Sequence, residues 1–149
     1  MKFFTMEWWS GCQRLEFYDP MPDFQSHLDT IRDRLPPDLL ALQETVSLHD
    51  ANLCELDLDV GAGALEIQLN GDDGTGGLRR FTLQYSEVDS FRSIADRDIG
   101  LPGPHGYGDL GYNEADLTDT GMFEHRLLFS TGIELQIVFG NFSLEWEDC

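Results

Sequence analysis

Residues 51–86, ANLCELDLDVGAGALEIQLNGDDGTGGLRRFTLQYS, decide the fold. Three times in this stretch apolar and polar side chains alternate with a period of two. Cys54, Leu56, Leu58 and Val60 alternate with Glu55, Asp57 and Asp59. Leu65, Ile67 and Leu69 alternate with Glu66, Gln68 and Asn70. Phe81, Leu83 and Tyr85 alternate with Thr82, Gln84 and Ser86. That period belongs to strands with one face buried and one face wet. Gly61-Ala62-Gly63 and the run Gly71 to Gly77 separate the strands and act as turns. Short connections of this kind join antiparallel neighbours.

Toward the C-terminus the pattern recurs. Phe123 to Phe129 reads as a strand. Ile133, Leu135 and Ile137 alternate with Glu134 and Gln136, and Phe142, Leu144 and Trp146 alternate with Ser143, Glu145 and Glu147. Toward the N-terminus the period becomes helical. Thr5 is a candidate N-cap ahead of Trp8, Cys12 and Leu15 on one face. Asp19-Pro20-Met21-Pro22 breaks the chain. A second helix then begins near Pro22, with Phe24, Leu28, Ile31 and Leu35 on its apolar face, and Pro36-Pro37 ends it. A short helical turn follows over 38–43. The expected architecture is one α+β domain over 1–149. Residues 1–47 are mainly helical and pack on one face of a mostly antiparallel sheet from 51–147, with a long loop at about 95–121. That stretch holds six glycines, two prolines and two tyrosines between 95 and 121 and keeps no period.

Acids outnumber bases by 28 to 9, a net charge of −19. Such a balance opposes nucleic acid, which needs a cationic footprint, and opposes an anionic membrane surface. No apolar run approaches the length that spans a bilayer, and the start, MKFFTMEWWSG, does not read as a signal peptide. Three cysteines without CxxC spacing give neither a disulfide framework nor a zinc site, and the expected setting is a reducing cytosol. Cys12 and Cys54 read as small core residues, Cys149 as exposed.

The alternation has a functional consequence. The polar positions form a second sheet face that carries Glu55, Asp57, Asp59, Glu66, Glu134, Glu145 and Glu147, uninterrupted by a base. That face is a candidate docking surface for a cationic protein. It is equally what an ordinary solvated, edge-protected sheet would carry. The loop offers Tyr107, Asp109, Tyr112, Glu114 and Asp116 as further contact residues, since tyrosine supplies area at low entropy cost. Packing of those tyrosines back onto the domain is the plainer reading. Arg126, the sole base after residue 100, is expected to pair with an acid.

Motifs for chemistry are sparse. Gly71-Asp72-Asp73-Gly74-Thr75-Gly76-Gly77 lacks both the Lys-Ser/Thr of a phosphate loop and the ligand order of an EF-hand, so it reads as a hairpin loop. His49-Asp50 could orient an imidazole for base chemistry, alone or with His125 and a metal, but no nucleophile motif accompanies it. A capping role for Asp50 is the alternative. No cofactor is called for by any motif.

Met1-Lys2-Phe3-Phe4-Thr5-Met6-Glu7-Trp8-Trp9, Leu48-His49-Asp50-Ala51 and Phe123-Glu124-His125-Arg126-Leu127-Leu128-Phe129-Ser130 with Gly132-Ile133-Glu134-Leu135 resemble a family of small bacterial proteins of unknown function. Some similar proteins are encoded beside polymorphic toxins as immunity proteins. The resemblance covers the two ends of the chain and carries no catalytic residues. It implies an interaction role. The leading expectation is an acidic cytosolic binding protein, an immunity-type inhibitor that occludes a cationic toxin rather than an enzyme. An accessory module whose acidity serves only solubility, and a small His49/Asp50 hydrolase, are the alternatives.

Overall fold

A computed structural model describes residues 1–12, 18–95 and 106–149. Three helices precede eight strands: α1 (Met6–Cys12), α2 (Met21–Ile31), α3 (Pro37–Glu44), β1 (Ala51–Asp59), β2 (Ala64–Asp72), β3 (Leu78–Ser86), β4 (Ser90–Ala95), β5 (Asp109–Leu117), β6 (Phe123–Phe129), β7 (Ile133–Phe139) and β8 (Asn141–Asp148). The protein is α+β, with its helices N-terminal to one antiparallel sheet of order β4-β7-β6-β5-β1-β2-β3-β8.

Local chemistry accounts for the helix boundaries. The Trp8 N–H donates to Thr5 Oγ1 at 3.1 Å, so Thr5 caps α1 as its position suggests. Leu15 lies outside the described residues. In α2 and the 3-10 turn after it, Phe24, Leu28, Ile31 and Leu35 are all buried. Pro36 cannot continue that helix, and Pro37 starts α3.

The sheet folds over on itself. Strands β3 and β6 stand four places apart in the order, about 19 Å in a flat sheet. Yet Tyr85 of β3 hydrogen-bonds His125 of β6 at 2.8 Å, and its ring lies 4.9 Å from that of Phe139 on β7. The fold line is the join between β1 and β5, which pair only at Ala51↔Leu110 and Asn52↔Asp109. Helix α3 bridges β5 and the edge strand β8. Its Gln43 Oε1 accepts the Ala115 N–H of β5, and its Asp38 accepts the Leu144 N–H of edge strand β8. The apolar faces of both halves meet inside, with Ile67, Leu69, Leu83, Leu127, Leu135 and Ile137 fully buried. The N-terminal segment and α2 cover the opposite face of β5 and β6. Glu114 of β5 accepts from the backbone of 2–4, His27 of α2 meets Asp116, and Phe4 stacks on Tyr112 at 5.0 Å.

Residues 109–117 form strand β5, not loop; the part of the expected loop over 96–105 lies outside the described residues. The alternation failed there because both faces of β5 are covered. Its polar residues Glu114 and Asp116 are buried, and a bulge sits between Leu110 and Tyr112. Cys54 is exposed rather than core. The register shifts between Leu53 and Glu55, so Leu53 faces Leu69 and Leu56 faces Ile67, while Cys54 is the extra residue of a bulge. Val60, expected in the same apolar row, follows the strand end and is 82% exposed. Cys12 is half-buried and Cys149 exposed.

Candidate functional site

The outer face of β1, β2, β3 and β8 is a grid set by register. One row runs Asp57–Glu66–Gln84–Ser143, the next Glu55–Gln68–Thr82–Glu145, and the third Asn52–Asn70–Arg80–Glu147. Glu55, Asp57 and Asp59 are exposed, and Glu66 is half-buried at the centre. Gln68 Nε2 donates to Glu66 at 2.9 Å and Gln84 Nε2 at 3.2 Å; Ser143 in turn donates to Gln84. These amide bonds, against a small desolvation effect, hold the Glu66 carboxyl below its ordinary range. Glu66 stays charged and fixed in direction, with Asp57 directly across the strand pair. An open cavity of about 520 Å³ borders this face, between Asp57, Asp59 and Glu66 on one side and Asn141, Phe142 and Ser143 on the other.

The acidic face differs from the expected one in two ways. Arg80 belongs to it, with Nη1 3.6 Å from Glu147, so a base does interrupt the set. Glu134 does not belong to it. It lies on β7 in the other half of the sheet, paired with the Met1 amine.

The second group of candidates does not form a surface. Glu114 is 0% and Asp116 3% exposed, so neither can meet a partner. They surround Arg126, itself 2% exposed. Arg126 Nη2 is 3.1 Å from Glu114 and 3.2 Å from Asp116, and Nη1 is 2.9 Å from Glu124. Lys2 Nζ reaches Asp116 at 2.7 Å. Burial opposes charge on Asp116, but the Lys2 and Leu117 N–H bonds and the Arg126 charge outweigh it and hold the carboxyl at about 2. Arg126 likewise stays charged against burial because three carboxylates face it. Two buried acids and a buried base in adjacent strands thus satisfy each other. Tyr112 is half-buried among Phe4, Trp8, Trp9 and His49, and Tyr107 packs on Phe129 at 5.3 Å. Asp109 is exposed and accepts from Asn52. Of the nine candidates, the fold brings together Glu55, Asp57, Asp59 and Glu66, sets exposed Asp109 beside Asn52 at the end of their grid, and keeps Tyr107, Tyr112, Glu114 and Asp116 apart from them.

His49 and Asp50 are poorly placed for a relay. His49 Nδ1 donates to the Gly111 carbonyl at 2.6 Å, and Nε2 stands 3.6 Å from Asp50, too far for a hydrogen bond. Asp50 takes a left-handed φ of 64° in the turn into β1, where its N–H donates to the Leu110 carbonyl. His125 is walled into the core, far from solvent. Burial, then the Arg126 charge, lowers its pKa to about 3, so it is neutral. Among the described residues no three His, Cys, Asp or Glu side chains group as metal ligands. Among the same residues no helix is long and apolar enough to cross a membrane.

Sequence reasoning missed the amide residues Gln68 and Gln84, which orient Glu66. It also missed Gln43 and Asn113, which join α3 to the core through His125. Their signal was only their place in an alternating row or on a helix. The class defined by fold and site is an acidic α+β domain with a carboxylate-bearing sheet face. No family model matches the chain, and no curated protein matches its sequence.

Proposed function

We propose that this protein is a cytosolic binding module that occludes a cationic protein partner, in the manner of an immunity-type inhibitor of a bacterial toxin. The carrying observation is the grid on the outer face of β1, β2, β3 and β8. Like charges directly opposite each other in a strand pair are destabilising, and Asp57 faces Glu66. A surface needed only for solubility would gain by mixing signs there. Carboxylates kept adjacent, with Glu66 fixed by two amides, suit the lysines and arginines of a basic surface. Long-range attraction raises the encounter rate, and occlusion of the partner's own site does the inhibiting.

The test is rescue. The open reading frame beside this gene is expressed alone and together with this protein. Toxicity alone and survival together are expected, with an association rate that falls steeply from low to physiological salt. The triple variant Glu55→Gln, Asp57→Asn, Glu66→Gln should lose most of that salt dependence. A harmless neighbour, or toxicity that persists on co-expression, removes the inhibitor reading. Rescue with a salt-independent rate removes the acidic face from it.

A further inference from the structure

A second cavity, of about 300 Å³, lies among α2, α3 and β5, away from the acidic grid. Its size is at the lower end of small-molecule sites. Phe4, Phe24, Tyr112, Leu42 and Leu48 give it aromatic and aliphatic walls, and its polar lining is Gln43, Glu44, Thr45, Ser47, His49 and Asn113. Glu44 is paired with Arg32, Thr45 donates to the Ala41 carbonyl and Ser47 accepts the His49 N–H, which leaves His49 and Asn113 to face a ligand. Each polar group is locked from behind, and the locking bonds reveal what it offers to the cavity.

The Ala115 N–H donates to Gln43 Oε1 at 3.0 Å. The other end of that amide is therefore Nε2, which donates to Asn113 Oδ1 at 2.6 Å. The same oxygen faces His125 Nε2 at 2.9 Å, so His125 carries its proton there and its Nδ1 accepts from the Tyr85 hydroxyl. Asn113 Oδ1 is thus engaged twice by buried donors. Its Nδ2 hydrogens have no acceptor among the described residues. His49 presents the complement. A carbonyl only accepts, so Nδ1 holds the proton shared with Gly111, and in that tautomer Nε2, 3.6 Å from Asp50 and without a hydrogen bond, is the acceptor.

We propose that this cavity binds a neutral, planar ring compound with an amide or lactam edge. The ring lies against the aromatic walls. Its carbonyl accepts from Asn113 Nδ2, and its N–H donates to His49 Nε2. The charge of −19 disfavours an anion. The site is preorganised, since both polar groups are fixed by bonds that a ligand need not form. It does not rest on the acidic face or on the inhibitor reading.

Nicotinamide and uracil are the probes, titrated into the full chain and followed by amide chemical shifts. A saturable dissociation constant of about 1 mM is expected for rings this small, with shifts at Gln43, His49, Gly111 and Asn113. Benzoate, which carries a charge and no N–H, should bind at least about tenfold more weakly. Asn113→Asp keeps an oxygen for Gln43 and His125 but replaces the donor with a carboxylate. His49→Asn keeps a donor for Gly111 and removes Nε2. Each should weaken nicotinamide about fivefold, the worth of one hydrogen bond. If Asn113→Asp does not fold, His49→Asn decides. No saturable shift at those residues with either probe overturns the proposal. So does equal affinity for benzoate, or unchanged affinity in folded variants, because binding would then be unspecific contact with the rings.

Discussion

The two halves of the folded sheet use the same residue types for opposite purposes. In β1, β2, β3 and β8 the carboxylates stand in water with few cations beside them. In β5, Glu114 and Asp116 are buried, and cations or N–H groups meet them: Arg126, Lys2, and the backbone of 2–4. A carboxylate on a wet face is solvated and available. Removed from water, it must be matched by charge and hydrogen bonds or the fold fails. Acidity alone therefore says little about where a partner binds. The availability of the acids does, and Glu114 and Asp116 lack it.

The comparison predicts where charge removal is ruinous and where it is harmless. The largest effect is expected in the buried half. Arg126→Ala leaves Glu114 and Asp116 buried without their cation and should cost about 3–5 kcal/mol in urea unfolding. A loss under about 1 kcal/mol would mean that Lys2 and the N-terminal backbone suffice to hold those acids.

Acid is the next lever. His125 is neutral in the fold with a pKa of about 3, against an ordinary 6.5. Below pH 6.5 the unfolded chain takes a proton that the folded core refuses, so stability falls from pH 6.5 toward 3, by on the order of 4 kcal/mol. Asp116 acts in a lower window. Its carboxyl is held at about 2, so the stability it contributes is present above 3.8 and is lost as pH falls through about 2. Equilibrium unfolding at a series of pH values reads both. Glu66, held below its ordinary 4.5, contributes only as the pH falls toward that value, so a Glu66→Gln variant should keep the same slope between pH 6.5 and about 5.5. A flat profile in that range would show that the core admits a charged His125.

The smallest effect, and of opposite sign, is expected in the wet half. Asp57→Asn removes a like-charge pair with Glu66 and should raise stability by about 0.2–1 kcal/mol at low salt, fading as salt screens the pair. Destabilisation instead would mean that Asp57 is tied into the fold, and the grid would no longer be a surface held in reserve for a partner.

The alternating rows of 54–60, 65–69, 81–85, 133–137 and 142–146 were legible because each strand has one wet face, and a period of two follows from that asymmetry. Glu55, Asp57, Asp59 and Glu66 were legible for the same reason. β5 was not. A strand covered on both faces loses its alternation, and its buried acids look like loop polarity until Arg126 and the N-terminal backbone are placed against them. Cys54 misled because a bulge moves a residue from one face to the other while leaving the composition unchanged.

By itself the sequence determined the class of fold, the Thr5 cap of α1, the proline breaks between helices and the strands whose two faces differ, because these depend on neighbours along the chain. Only the tertiary structure decided which acids are free. It brings Tyr85 to His125, and it closes Arg126 between Glu114 and Asp116. Charge has its meaning through desolvation and pairing, and both are set by contacts between residues far apart in the chain.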